Sequence, residues 1–228
     1  TGANSQLELS AQSPWRRGGD ALRGAFPEVP IFASTLTISD ILEDRTGMIA
    51  SGRRFVRGFG PDVPAPTHEV ADGQSFTLAR LVIEPVVIGP GEAESMTLFS
   101  TPELSVLAAG DLAGTGMTPW LVEGRSGAWL AQVNQLQGRF ADVSLLLPGH
   151  GAPGQTGHIL EEQADYLAMF RTLVLERIKD SRLSGADRRE IAGLLASRFP
   201  ADDQVAPMPN LMDANIKAIA AELQLSQK

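Results

Sequence analysis

Two stretches decide the fold: Val106-Leu-Ala-Ala-Gly-Asp-Leu112 and Leu145-Leu-Leu-Pro-Gly-His-Gly151. Each is an apolar run of strand length that stops at small residues and then presents one polar side chain. Asp111 and His150 are therefore expected to project from strand ends, close to neighbouring strands. A carboxylate and an imidazole held that way are metal ligands or an acid–base pair. Glycine on each side of His150 lets the backbone set its ring in a cleft. Between the two strands, Trp129, Val133, Leu136 and Phe140 fall at helical spacing, predicting a helix from Arg125 to Phe140 with Ser126 as its N-cap.

Working outward, Ser75 to Leu78, Leu81 to Ile88, Met96 to Ser100 and Ser105 to Ala109 read as short strands, with Pro102-Glu103 a tight turn. Nearer the start, a short helix is expected around Asp20 to Phe26, a strand from Val29 to Ser34, and a helix from Thr37 to Glu43 beginning near Ser39 or Asp40. Residues 44 to 74 are rich in Gly, Pro and Arg and read as a long surface loop with a helical turn around Met48 to Phe55. That loop carries His68 as an ordinary surface histidine. After His150 the chain turns helical, with Ile159 to Lys179, Asp187 to Arg198 and Leu211 to Leu225 as separate helices. Residues 1–180 are read as the main domain and 181–228 as a helical extension packed on it.

Strand–Gly-Asp and strand–Pro-Gly-His-Gly separated by one helix resemble the metallo-β-lactamase superfamily. The resemblance continues upstream in Gly18-Gly19, a helix, Pro-Ile31-Phe-Ala-Ser34 and Ile38 to Leu42. It implies an α/β fold, an αββα sandwich, here with its N-terminal hairpins absent and a C-terminal helical extension added. It also implies one or two metal ions, usually zinc or iron, and hydrolase chemistry. The family's His-x-His-x-Asp-His loop falls on Ala11, Ser13, Trp15 and Arg16. Ala, Trp and a permanently charged Arg offer no lone pair, and Ser13 is a weak ligand. By the same resemblance, Ser13, Trp15, Arg16, Thr118 and Trp120 would line the pocket, with Thr118 standing where relatives carry a His. Arg16 would supply a fixed positive charge near Asp111. Glu92, in Gly89-Pro-Gly-Glu-Ala-Glu-Ser95, stands where many members place a ligating His. Two readings stay open for it: a ligand or supporting carboxylate, or a solvated turn residue like its neighbour Glu94. Thr1-Gly-Ala-Asn4 resembles the end of the family's Asp-Thr-Gly strand, and the sequence, which lacks an initiator Met, reads as processed, truncated or trimmed.

The composition narrows the function classes. With 228 residues, 43% hydrophobic and 20% charged, the chain can bury a core without staples. A net charge of −8 with scattered basic residues argues against nucleic acid as partner. No Cys is present, so no disulfide or thiolate site exists, which fits cytoplasm and periplasm equally. No apolar run reaches membrane-spanning length. The expected function is a superfamily member with its metal motif lost and no catalysis, serving a binding or scaffolding role toward a small molecule, a protein partner or a second copy in a homodimer. The alternative is a hydrolase of small esters, lactones or thioesters with one zinc, iron or manganese ion on Asp111, His150 and Glu92. Asp111 and His150 are the catalytic candidates in that case.

Overall fold

The computed structural model describes residues 28–44, 49–50, 66–178, 182–201, 203–204 and 209–225. The readings placed on Thr1 to Asn4, on Ser13, Trp15 and Arg16, and on the helix around Asp20 lie outside these residues. The chain divides into two compact units, Thr1–Ile88 with Ala93–Leu104, and Gly89–Glu92 with Ser105–Lys228.

In the first unit, strand β1 (Phe32–Ala33) runs into helix α1 (Thr35–Glu43). The Ser34 hydroxyl accepts the Thr37 N–H at 3.2 Å, so the helix starts two residues before the sequence expectation and takes its cap from Ser34. Its C-terminus is closed by Asp44 in the left-handed region at φ 46°. The expected loop from 44 to 74 contains a strand: β2 (His68–Glu69) pairs in parallel with β1. Thr67 makes this possible, because its hydroxyl accepts the Ile31 N–H at 3.0 Å. His68 is exposed, as expected, but its ring lies 5.0 Å from that of Phe32. Strands β3 (Phe76–Leu78), β4 (Leu81–Ile88) and β5 (Met96–Thr101) form an antiparallel meander. The turn at Pro102 tightens into a 3-10 turn, Pro102–Leu104, whose Glu103 carboxylate accepts the Val82 N–H at 3.0 Å.

The second unit carries the two deciding strands. β6 (Val106–Gly114) is longer than the sequence indicated and is followed by the short β7 (Met117–Thr118), helix α2 (Ser126–Arg139) and β8 (Leu145–His150). β6 and β8 pair in parallel, with α2 as the crossover between them. β9 (Gly154–Gln155) then pairs antiparallel with β8, so this sheet is mixed. β8 alternates: Leu146 is fully buried while Leu145 and Leu147 are exposed, the two-residue period of a strand. Trp129, Val133 and Leu136 of α2 are buried. Trp129 also ties the helix to the sheet, its indole N–H donating to the Leu112 carbonyl at 2.8 Å.

Helices α3 (Thr156–Arg177), α4 (Gly185–Arg198) and α5 (Leu211–Leu225) complete the unit. α4 opens with a capping box between Ser184 and Asp187, two donors satisfied reciprocally. α2 departs from expectation at its start. Ser126 is the first helical residue, Arg125 is the N-cap, and no side chain of the cap itself accepts a bond. The Glu222 carboxylate, brought in by α5, does that work by accepting the Ser126 N–H at 2.9 Å and the Gly127 N–H at 2.8 Å. A carboxylate at a helix N-terminus also gains from the backbone dipole. Among the described residues no helix is long and apolar enough to cross a membrane.

Candidate functional site

Asp111 and His150 come together because β6 bulges. Gly110 pairs with Pro148 and Gly114 with His150, so three residues of β6 face the single Gly149 of β8. Gly149 is required there. A Cβ on it would stand 2.7 Å from the Gly110 carbonyl carbon and would collide with the Asp111 carboxylate. The glycine before the histidine therefore makes room for the aspartate. Gly151 has φ +86° and lies against the Thr115 backbone. Thr115 holds that turn through its hydroxyl, which donates to the Ala152 carbonyl at 3.0 Å and accepts the Ala152 N–H at 2.7 Å.

The result places His150 Nε2 3.4 Å from Asp111 Oδ1. That is longer than a good N–H···O bond, and so a charge contact more than a hydrogen bond. Glu92 joins the pair. It is buried, which overturns the solvated-turn reading for this residue, and its side chain hydrogen-bonds Asp111. Glu94 is exposed. Burial pushes the Asp111 carboxyl above the ordinary 3.8, while the His150 charge and the Glu92 hydrogen bond pull the other way. Burial wins because a desolvated carboxylate loses more than one partly exposed imidazole returns.

Beneath the pair lies a cavity of about 10 Å³, lined by Glu92, Asp111, Met117, Pro119, His150 and Gln163 among others. One water needs about that much room. The cavity takes Met117 from β7 and Pro119 from the loop after it. Thr118 is half-buried in β7, beside Gln204 of β10 (Asp203–Gln204), and Trp120 is half-buried next to Pro119. Asn215 of α5 pins this loop, its amide accepting the Leu121 N–H at 2.9 Å and donating to the Pro119 carbonyl at 2.8 Å.

The donor set can be tested against the metal that this fold implies. Two donors on one tetrahedral ion, at about 2.0–2.1 Å each, stand roughly 3.3 Å apart, so the Asp111–His150 spacing suits a shared ion. The supply of further donors does not. The chain has three His; His68 belongs to the first unit and bonds Thr67 at 2.8 Å, and His158 is exposed on α3. Among the described residues no three or more His, Cys, Asp or Glu side chains are grouped to hold a metal ion. Hydrolytic zinc sites take about three protein ligands. The described residues do not fit a two-metal centre.

Known structures agree on the fold. A beta-lactamase domain protein from Burkholderia ambifaria matches 87% of this chain with a TM-score of 0.59 at 15% identity. A metallo-beta-lactamase family protein from Thermus thermophilus matches 87% with a TM-score of 0.57 at 18% identity. The chain spans 60% of the length of the first and 67% of the second. No protein-family model and no curated protein matches it. The chain has a metallo-β-lactamase-type α/β fold with C-terminal helices.

Sequence reasoning missed Gln163, Asn215 and Glu222. Gln163 and Asn215 left a signal, being polar residues on otherwise apolar helix faces, four places after Ile159 and Leu211 respectively. Glu222 left none, since its partners lie nearly a hundred positions away.

Proposed function

We propose that this protein is an αββα metallo-β-lactamase-type chain that has lost its hydrolytic metal centre and uses the remaining cleft to bind rather than to hydrolyse. The observation that carries this reading is the enclosed setting of Asp111. Its carboxyl is raised by burial, faced by His150 and bonded by Glu92, so groups of the chain itself already engage it. The lost motif at Ala11, Ser13, Trp15 and Arg16 supports the same reading, because three of those four side chains cannot ligate. The occupant of the cleft is then a small molecule, with a protein partner or a second copy served by the outer surface. The lactamase names of the matched structures belong to those proteins, and β-lactam hydrolysis does not follow for this one.

A second reading keeps hydrolysis of small esters, lactones or thioesters with one zinc, iron or manganese ion on Asp111, His150 and Glu92. The 3.4 Å separation of the first two favours it. Ester, lactone and thioester assays after incubation with each metal decide between them. Turnover indistinguishable from buffer is expected. Metal-dependent turnover abolished in both Asp111→Ala and His150→Ala would replace the binding reading with the second.

A further inference from the structure

Among the described residues, helix α3 buries three side-chain polar atoms without a hydrogen-bond partner, Thr156 Oγ1, Gln163 Nε2 and the Tyr166 hydroxyl, and the last two belong together. Gln163 and Tyr166 lie three residues apart, on one helix face, and are 6% and 8% exposed. Gln163 Oε1 accepts the Gly114 N–H at 3.4 Å, which orients the amide and leaves Nε2 as a donor. Among the described residues neither that Nε2 nor the Tyr166 hydroxyl has a hydrogen-bond partner. Burial pushes the Tyr166 phenol well above its ordinary range, so it stays neutral and able to donate. Both residues line a cavity of about 30 Å³ walled by Met117, Pro119, Phe199 and Pro200, and Gln163 also lines the smaller cavity under Asp111 and His150.

Leaving a buried donor unmade costs about 1–3 kcal/mol, and two of them on residues that line one cavity call for an acceptor from outside. Met117, Pro119, Phe199 and Pro200 offer a water no side-chain partner, so a water there would rest on Gln163, Tyr166 and Glu162. A carbonyl oxygen takes two donors and lays its carbon arm on apolar walls. Charge selects further. Glu162 lines this cavity, so an anionic carboxylate is repelled and an uncharged carbonyl is not.

We propose that the slot between α3 and the Gly114–Pro119 loop binds the carbonyl end of an uncharged small molecule, a carboxamide or ketone, through Gln163 Nε2 and the Tyr166 hydroxyl. The proposal rests on the ligand-binding reading of the cleft and names the chemistry of its occupant. Acetamide and acetate, nearly equal in shape and different in charge, are the probes. In NMR titrations of the intact chain, acetamide saturates shifts of the Gln163 side-chain amide and the Tyr166 ring, with a dissociation constant on the order of millimolar. Acetate binds at least fivefold more weakly. Tyr166→Phe weakens acetamide at least fivefold without lowering the unfolding midpoint, because the lost hydroxyl had no partner in the free protein. Acetate binding as tightly as acetamide, or unchanged affinity in Tyr166→Phe, overturns the proposal. Shifts confined to the His150 ring overturn the slot and leave a ligand-binding cleft standing. Silence at His150, Gln163 and Tyr166 together removes both.

Discussion

Two stretches of helix α3 treat polarity in opposite ways. Toward its C-terminal end, the Arg171 guanidinium donates to the Ser126 hydroxyl at 2.6 Å and to Glu222 at 2.8 Å. Glu222 in turn takes the Ser126 hydroxyl and the first N–H groups of α2, so every strong group in the cluster has a partner. One and a half to just over two turns earlier, Gln163 and Tyr166 are more deeply buried than Arg171 and yet keep unpaired donors. The first cluster welds α2, α3 and α5 together. The second contributes little to the fold beyond the packing of Tyr166 against Phe170 and Phe199, at 5.8 and 5.3 Å between ring centroids. A satisfied polar cluster is explained by stability; an unsatisfied one beside a cavity asks for a ligand.

The sharpest way to break this contrast is Glu222→Ala. It strips two backbone donors of their acceptor and leaves Arg171 partly buried without its carboxylate. Urea unfolding should show a loss of about 2–3 kcal/mol, with Glu222→Gln losing less because the acceptor oxygen remains. Next comes Asn215→Ala, which orphans the Leu121 N–H and the Pro119 carbonyl at a fully buried position. About 2 kcal/mol should go, and with it the position of the Pro119 wall. Asp111→Asn tests the candidate site through pH. Because the folded protein raises this carboxyl from 3.8, it holds that proton more tightly than the unfolded chain does. Wild type should then lose stability relative to the variant as pH rises from about 4 through the raised value. Urea midpoints at pH 4 and pH 7 check this, and a difference moving toward wild type on raising the pH would contradict it. The smallest effect is Tyr166→Phe in the free protein, within about 0.5 kcal/mol of wild type. A loss of about 2 kcal/mol would mean the hydroxyl is structurally satisfied after all.

Much of the fold was legible in the sequence because it is carried by periodicity and punctuation. The β-rich run of β4, the apolar stripe of α2 and the Gly-Asp and Pro-Gly-His-Gly stops each report a local preference that the tertiary structure keeps. Boundaries slipped where a side chain from elsewhere set them: Ser34 advanced α1, and Thr67 turned part of a presumed loop into β2. At the site, spacing exposed Asp111 and His150 as a pair. Burial of Glu92 was invisible, since Gly89 to Ser95 reads as a turn and turns are ordinarily solvated. The service of Glu222 to α2 was equally hidden, because it belongs to no local pattern. Gln163 was readable in principle, as an amide on the apolar face of α3, but only the cavity gives it meaning.

The most direct test of the central claim is the metal content of protein purified without chelator, measured by elemental analysis before and after loading with zinc, iron or manganese. The expected result is far less than one ion per chain in every case, with Asp111→Ala and His150→Ala indistinguishable from wild type. About one tightly held ion per chain, lost in both variants, would contradict the binding reading and return the protein to the hydrolases.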